Sequence, residues 1–290
     1  MENRALTPQE VADRLRVAKN TVYELIKRGE LRGYRVGSQV RVDETALEEY
    51  RGAAAAASSP SVQEAFVLAG QDVLLDLLGQ RAGEQGARVL RSAAGSYAGL
   101  TALYLGAVGA TSAHLWNAAH DRYNVDFIPA LVPGVATARF RLATRRVGWY
   151  VAPGNRLGIA GWEALGSGLT LANREKGSGI RVLLDGRLWQ RGGPVPAGYE
   201  REYPSHWAVA SAVARGEADF GLGNEKTAMA SGVDFIPLQS EEVDLILRRV
   251  DLAKPPVPAL IEVLRSASFR RELEGLGGYG LERLGEELPD

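Results

Sequence analysis

The sequence predicts an α/β protein that begins with a small winged helix-turn-helix, and three observations support this. Residues 1–51 contain two short amphipathic segments followed by an alternating stretch that resembles a hairpin. Residues 52–61 are rich in Ala and Ser and carry no charge or periodicity, which is typical of a linker. In residues 62–290 short apolar runs alternate with helix-like patterns, which favours a mainly parallel sheet.

The composition fits a globular protein of two or three domains. The chain has 290 residues, a net charge of −1 and no cysteine. Disulfides, thiolate metal sites and cysteine nucleophiles are therefore excluded. The first ten residues are charged and lack the apolar core of a secretory signal. We therefore expect a cytoplasmic protein.

One segment, Ala98–Ala119, contains no charged residue and is long enough to cross a membrane. It is diluted by Gly, Thr, Ser, Asn and His, however, and two glycines interrupt it. We therefore expect a buried helix followed by a strand, and no membrane partner.

The N-terminal segment has the signals of two consecutive helices. Thr7, Pro8 and Glu10 form a capping box with proline at the first helical position. After a short break, a second helix is predicted over Lys19–Arg28 and ends at Gly29. Two short helices joined by a tight turn form a helix-turn-helix, whose second helix enters the major groove of DNA.

A basic hairpin follows the two helices. Residues 31–42 alternate around Gly37-Ser38, which predicts a β-hairpin or wing. Between Arg14 and Arg41 there are eight Lys or Arg and two Glu, so this stretch has a net charge of +6 although the chain is nearly neutral. The alternative is a solvated helical hairpin with a basic face. The predicted DNA contacts are Lys19, Asn20, Thr21, Tyr23, Lys27, Arg28, Arg35 and Arg41.

Residues 6–51 resemble the winged helix-turn-helix of excisionase and MerR-type proteins. Helix, turn, helix and wing occur in that order, with TVYELIKRGEL followed by YRVGSQVRV. The resemblance implies binding to double-stranded DNA, usually by a homodimer. Ala18 stands where such domains usually have a capping Ser, and the missing cap should cost about 1 kcal/mol.

In the α/β part, polar residues follow the predicted strands. Gln71 and Asp72 follow the first strand, Ser96 the second, and residues 111–114 the third. Ligands of such sheets bind beyond the carboxyl ends of strands, where helix N-termini point. We therefore expect a ligand site at these junctions.

The segment Asn173–Asp185 places a Gly-Ser-Gly turn directly before a helix-like pattern. It lacks the G-x-x-x-x-G-K-[ST] spacing of a phosphate loop and the distal acidic residue of a dinucleotide fingerprint. Ser178 and the amides of Gly179 and Ile180 could hold an anion at the helix N-terminus. The alternative is a plain tight turn.

Several stretches between residues 66 and 247 resemble the periplasmic-binding-protein-like domain of cytoplasmic regulators. They include AGQDVLLDLL, NREKGSGIRVLLD and SHWAVASAVARGEADFGLG. The resemblance implies a type 2 fold of two α/β lobes that close over a ligand. It places lobe I at about 62–145 and 236–290, and lobe II at about 146–235. Behind a winged helix-turn-helix, such a domain implies a ligand-sensing transcription regulator.

The same resemblance extends to the molybdate- and tungstate-binding proteins of transport systems. It favours an oxyanion such as molybdate or tungstate as the ligand, with no cofactor. Neutral donors can satisfy such a dianion, whereas Asp72 would repel it unless its carboxylate faces away. The predicted ligand-binding residues are Gln71, Asp72, Ser96, His114, Arg174, Ser178, Gly179, Ile180 and His206.

Other functional classes remain open at this point. A molybdenum-cofactor-related enzyme could use His206 or Asp72 as a general base. However, the sequence has no nucleophile–base pair in one motif, no metal-ligand spacing and no cofactor loop, so we expect no enzymatic activity. An excisionase-type architectural protein and a sensor of a small organic ligand are the remaining alternatives.

Overall fold

The computed structural model describes residues 4–58 and 66–289. The chain divides into two compact units, Met1–Glu64 and Ala65–Asp290. Each unit has its own hydrophobic core.

The first unit is a winged helix-turn-helix, as predicted. Its three strands form an antiparallel sheet in the order β1-β3-β2. Thr7 and Glu10 form the predicted capping box, and Ala18 precedes the second helix without a capping side chain. The elements are β1 Ala5–Leu6, α1 Pro8–Leu15, α2 Lys19–Lys27, β2 Tyr34–Val36, β3 Gln39–Asp43 and α3 Glu44–Ser58.

The third helix continues into the segment expected to be a linker. α3 ends at Ser58, so residues 52–58 extend the helix. Residues 59–61 lie outside the described residues.

The second unit is built on one nine-stranded sheet with helices packed against it. Two short 3-10 turns lie at Trp162–Gly166 and Arg249–Asp251. The other elements are β4 Phe66–Ala69, α4 Val73–Glu84, β5 Val89–Ser92, α5 Ser96–Tyr104, β6 Ala110–Ala113, β7 Trp116–Asn117, β8 Arg122–Tyr123, α6 Phe127–Leu131, β9 Thr137–Val151, β10 Leu171–Arg174, α7 Gly179–Arg191, β11 Glu202–Tyr203, α8 His206–Ala214, β12 Phe220–Asn224, α9 Glu225–Ser231, β13 Asp234–Arg248, α10 Val257–Arg265, α11 Ala267–Leu276 and β14 Glu287–Leu288.

Two parallel half-sheets form the lobes of this unit, in agreement with the predicted fold class. The strand order is β11-β10-β12-β9-β13-β6-β4-β5, and β14 pairs with β9. Strands β4, β5 and β6 run parallel in lobe I, and β10, β11 and β12 run parallel in lobe II. Two 15-residue antiparallel strands, β9 and β13, run through both lobes.

Each lobe buries its own apolar clusters. In lobe I, α4 and α10 pack Leu74, Leu78 and Leu260 against the sheet. In lobe II, Leu184 of α7 packs in one cluster with Trp149 and Phe220 of the sheet. Separate cores joined by continuous strands allow the lobes to turn relative to each other without exposing either core.

The uncharged segment Ala98–Ala119 forms most of α5 followed by β6 and β7, as the sequence predicts. Leu100, Leu103 and Ala113 from this segment are fully buried. Among the residues that the structure describes, no helix is long and apolar enough to cross a membrane.

Candidate functional site

Four helices of the second unit begin at one small cavity between the lobes. α4 and α5 approach it from lobe I, and α7 and α8 approach it from lobe II. The first-turn amides of a helix lack acceptors within the helix and lie at the positive end of its dipole. The cavity has a volume of about 20 Å³, enough for a compact group only. Its lining comprises Gln71, Asp72, Ala94, Gly95, Ser96, Ser112, His114, Arg145, Arg174, Ser178, Gly179, His206 and Val243.

Arg145, on β9, lies at the centre of an ionic network beside this cavity. Its side chain is 5% exposed and forms ion pairs with Asp72 from lobe I and with Glu241 from β13. Its Nη2 is 3.4 Å from His114 Nε2. The network therefore connects both crossing strands to the first helix of lobe I.

Asp72 and His114 complete this network. Asp72 caps α4 by accepting from Leu74 N at 2.9 Å, and it accepts from the Tyr279 hydroxyl at 2.6 Å. His114 Nδ1 lies 2.9 Å from Glu241 Oε2, although the two atoms are not aligned as a hydrogen bond. The Asp72 carboxylate thus faces protein donors.

The buried groups keep their charges or lose them according to their partners. Burial opposes ionisation of Glu241, but the charges of Arg145 and His114 outweigh it and lower the pKa of this carboxyl to about 2. Burial also acts against the Arg145 charge, but Glu241 and Asp72 raise the pKa of this guanidinium above its ordinary value. Burial and the charges of Arg174 and Arg145 lower the pKa of His206 well below 6.5. His206 is therefore neutral at pH 7.

Arg174 connects the two lobes across the cleft. Its buried guanidinium pairs with Glu175, with Nε and Nη2 each 2.7 Å from a carboxylate oxygen. Nη2 also donates to Gln71 Oε1 of lobe I at 2.7 Å. A second contact between the lobes joins Tyr97 N to Gly177 O at 3.1 Å. The lobes are therefore closed in this structure.

The two predicted serines have different surroundings. Ser96 is buried, and its hydroxyl accepts from His114 N at 3.3 Å. Ser178 caps α7 by accepting from Arg181 N at 3.3 Å, and its hydroxyl donates to Glu175 O at 3.0 Å. The hydroxyl proton of Ser178 is therefore donated to a backbone carbonyl of the same loop.

Eight of the nine predicted ligand-binding residues line this cavity. The exception is Ile180, whose side chain packs in the core of lobe II. Its position at the second residue of α7 still places its amide at the helix start.

The sequence interpretation did not single out Arg145, Glu241, Tyr279 or Ser112. The first three lie on long strands or in the C-terminal tail, away from any strand–helix junction. Ser112 lies within the predicted junction 111–114. Gly70 has φ +142°, and a Cβ there would lie 2.3 Å from Ser112 Oγ. Ser112 therefore occupies the space that a side chain at position 70 would need.

The predicted DNA contacts form an exposed surface on the first unit. Val22 and Leu25 face the core, whereas Tyr23 is 41% exposed on the opposite side of α2. Arg41 is half-buried and donates to Val40 O at 2.9 Å. The exposed members of the set are Lys19, Asn20, Thr21, Tyr23, Lys27, Arg28 and Arg35.

Comparison with protein families gives two matches that follow the two units. Residues 5–53 match a helix-turn-helix domain, and residues 79–265 match the PBP superfamily domain. The chain belongs to the PBP superfamily. Both matched domains are of binding types, one for DNA and one for solutes.

Two relatives show that the chain shares sequence with proteins of bacteria. It is 35% identical over 305 aligned residues to the uncharacterized protein YvgK of Bacillus subtilis (strain 168), covering 99% of this chain and 98% of the relative. It is 48% identical over 90 residues to an uncharacterized protein in the 5′ region of a ferredoxin 2Fe-2S gene of Clostridium pasteurianum. That match covers 31% of this chain and 80% of the relative.

Solved structures share the fold of the PBP domain at low sequence identity. A phosphate transport receptor from Vibrio cholerae has a TM-score of 0.52 at 14% identity, covering 74% of this chain and 99% of the receptor. A phosphate-bound substrate-binding protein from Clostridium perfringens has a TM-score of 0.55 at 12% identity, covering 74% and 98%. The ancestral amino acid-binding protein AncCDT-1 has a TM-score of 0.53 at 14% identity, covering 72% and 93%. Their ligands therefore differ while the fold is shared.

Proposed function

We propose that the protein is a DNA-binding transcription regulator whose DNA affinity responds to a small anion bound between the lobes of the PBP domain. One observation carries the proposal: four helix starts and two arginines converge on a closed cavity between lobes that are joined by continuous strands. In the same chain a winged helix-turn-helix exposes a basic surface.

The charges at the cavity favour an anion of low charge. Leaving His114 aside, Arg145 and Arg174 supply two positive charges and their partners Asp72, Glu175 and Glu241 supply three negative charges, so these five side chains sum to −1. The four helix starts add roughly half a positive charge each. An anion with a single charge therefore costs less electrostatically than a bare dianion. Molybdate and tungstate, which the sequence resemblance favours, are dianions, so this charge balance counts against them.

Regulation requires that the anion prefer one arrangement of the lobes. The Arg174–Gln71 and Tyr97–Gly177 contacts exist only while the lobes are closed. An anion that contacts helix starts of both lobes stabilises that closed arrangement. An effector coupled in this way typically changes affinity at the second site by about 5- to 150-fold.

The test measures binding of the full chain to DNA from the upstream region of its own gene, by fluorescence anisotropy. Shuffled DNA of equal length is the control. Titrations are repeated with molybdate, tungstate, phosphate, sulfate, acetate and phenylacetate. We expect preference for the native DNA and a shift of its affinity by at least one anion. Equal affinity for both DNAs, or no shift with an anion that calorimetry shows to bind, contradicts the proposal.

Two substitutions separate the binding sites in this test. Ser96→Ala removes a hydroxyl that lines the cavity, so it should weaken the response to the anion and preserve DNA affinity. Lys19→Ala should weaken DNA binding and preserve the affinity for the anion. Ser268→Ala, which changes an exposed serine of α11, is the matched control and should alter neither.

A further inference from the structure

A second cavity opens directly outside the first. It has a volume of about 670 Å³, within the range of about 300–1,000 Å³ that is usual for small-molecule sites. The two cavities share the lining residues Gln71, Asp72, Arg145 and His206. Because they share these side chains, the outer cavity, here called the outer cleft, is the continuation of the anion site.

The outer cleft offers apolar surface that the protein itself leaves uncovered. Trp207, in the first turn of α8, is 54% exposed, and Val73, at the start of α4, is 42% exposed. These two residues come from opposite lobes and line the same space, with Ala93, Pro204 and Ala230 beside them. Covering such surface is favourable by roughly 25 cal/mol per Å² of apolar area.

The positive side chains of the outer cleft already have partners. Lys226 donates to Leu276 O at 2.7 Å. Arg91 pairs with Asp76 at 2.8 Å and donates to Gly70 O at 3.0 Å. Both side chains are therefore already engaged by the protein, Arg91 by a carboxylate and Lys226 by a backbone carbonyl, and we expect the part of a ligand in the outer cleft to be uncharged.

One polar atom where the two cavities meet lacks a partner. His206 Nδ1 is buried and has no hydrogen-bond partner among residues 4–58 and 66–289. Buried polar atoms are nearly always hydrogen-bonded. His206 therefore carries an unsatisfied polar atom beside the junction of the two cavities.

We infer that the ligand is an organic acid, with a compact anionic head in the inner cavity and an uncharged, mainly apolar body in the outer cleft against Trp207. The inference rests on the proposed anion site. The head is a carboxylate or a phosphate ester, since both present oxygen acceptors to helix starts. An inorganic oxyanion would fill the inner cavity and leave the 670 Å³ of the outer cleft to solvent.

The test compares ligands that share a head and differ in body. Calorimetry on the full chain measures acetate against phenylacetate, and inorganic phosphate against phenyl phosphate. At least one phenyl compound should bind about tenfold or more tightly than its small counterpart, because burying a ring of this size contributes roughly 1.5–3 kcal/mol. The pair that shows the gain identifies the head.

Two tryptophan variants make the comparison specific. Trp207→Ala should remove most of the gain from the phenyl body and leave the affinity for the small counterpart unchanged. Trp189→Ala is the matched control, because Trp189 is 73% exposed on α7 and does not line the outer cleft. It should bind every compound as the wild type does.

Three outcomes overturn the inference. They are equal affinity within both pairs, a phenyl gain that survives Trp207→Ala, and no binding by any of the four compounds. The proposed function fails separately: if phenylacetate binds through Trp207 but leaves DNA affinity unchanged, the inference holds and regulation is refuted. If molybdate alone binds and shifts DNA affinity, regulation holds and the inference is refuted.

Discussion

Glu241 carries a buried negative charge at the junction of the two lobes. Its side chain is 1% exposed, and it pairs with Arg145, which also pairs with Asp72. Removing one partner of a buried ion pair typically costs about 3–5 kcal/mol, because the other charge is left without compensation. The network therefore stabilises the fold only while every member is present.

The first prediction concerns the pH dependence of stability. The pKa of Glu241 falls from 4.5 to about 2 on folding, so its contribution is complete above about pH 4.5 and is lost as the pH falls toward 2. Glu241→Gln should lower the free energy of unfolding at pH 7 by about 3–5 kcal/mol. It should also flatten the loss of stability between pH 4.5 and 2, measured by urea unfolding.

The matched control for this prediction is Glu274→Gln. Glu274 lies exposed on α11, so its variant should follow the wild-type stability curve at every pH. A Glu241→Gln variant that is as stable as the wild type at pH 7 would contradict the account of the network.

At the residue level, the sequence predicted the part of the site that lies at strand–helix junctions. Asp72, Ser96, His114 and His206 could be found because the apolar period changes beside each of them. Arg145 carries no such mark, since it precedes the apolar run of its strand and charged residues are usually solvent-exposed. Only the pairing of β9 with β13 shows that its charge is buried and compensated.

At the level of elements, the N-terminus of α7 lies so close to lobe I that its first residue must lack a side chain. Gly179 is its first residue, and a Cβ there would lie 2.3 Å from His114 Nδ1 and 2.7 Å from His114 O. The backbone oxygen cannot move out of the way as a flexible side chain could. Closure of the lobes therefore depends on the absence of a side chain at position 179.

The second prediction follows from this contact. Gly179→Ala should hold the cleft partly open, because overpacking of this kind costs about 1–3 kcal/mol, while each lobe keeps its own core. We expect a larger radius of gyration in small-angle scattering and weaker binding of phenylacetate or phosphate. Gly83→Ala, in α4 with nothing within 4 Å of the added Cβ, should leave both measurements unchanged. Wild-type affinity in Gly179→Ala would contradict the prediction.

The elements themselves were predictable to different degrees. The capping box and the wing turn identified the first unit, because those signals are local. The apolar run Val147–Val151 predicts a strand, whereas β9 already begins at Thr137. The part of β9 before Val147 contains Arg139, Arg141 and Arg145, which interrupt the apolar pattern. In the structure Arg139 and Arg141 pair with Asp244 on β13, a contact that the sequence does not reveal.

At the level of the whole molecule, charge is unevenly distributed. The chain has a net charge of −1, whereas residues 14–41 have a net charge of +6. A local excess of positive charge can attract nucleic acid even when the whole chain is nearly neutral. Each phosphate contact releases counterions and steepens the salt dependence of DNA affinity.

The third prediction concerns that salt dependence. Lys19→Ala and Lys27→Ala should each weaken DNA binding and reduce the slope of log affinity against log salt by about 1. Arg271→Ala removes an exposed positive charge from α11 and should leave the slope unchanged. The slopes are measured by anisotropy between 50 and 200 mM salt, a range over which the affinity of such interfaces changes by roughly 10³ or more. If all three variants have the same slope, the two lysines do not lie in the DNA interface.

The two long strands have a consequence for how this protein can change over evolution. β9 and β13 join the lobes and also carry Arg145 and Glu241, and Glu241 lies between two register shifts of β13, at Pro237/Gln239 and at Val243/Asp244. A mutation that reshapes this part of the site for a new ligand therefore also alters the stiffness of the connection between the lobes. In the proposed regulator, ligand selectivity and the strength of the response to the ligand therefore change together, and a variant with a new ligand also needs a compensating change in the connection between the lobes.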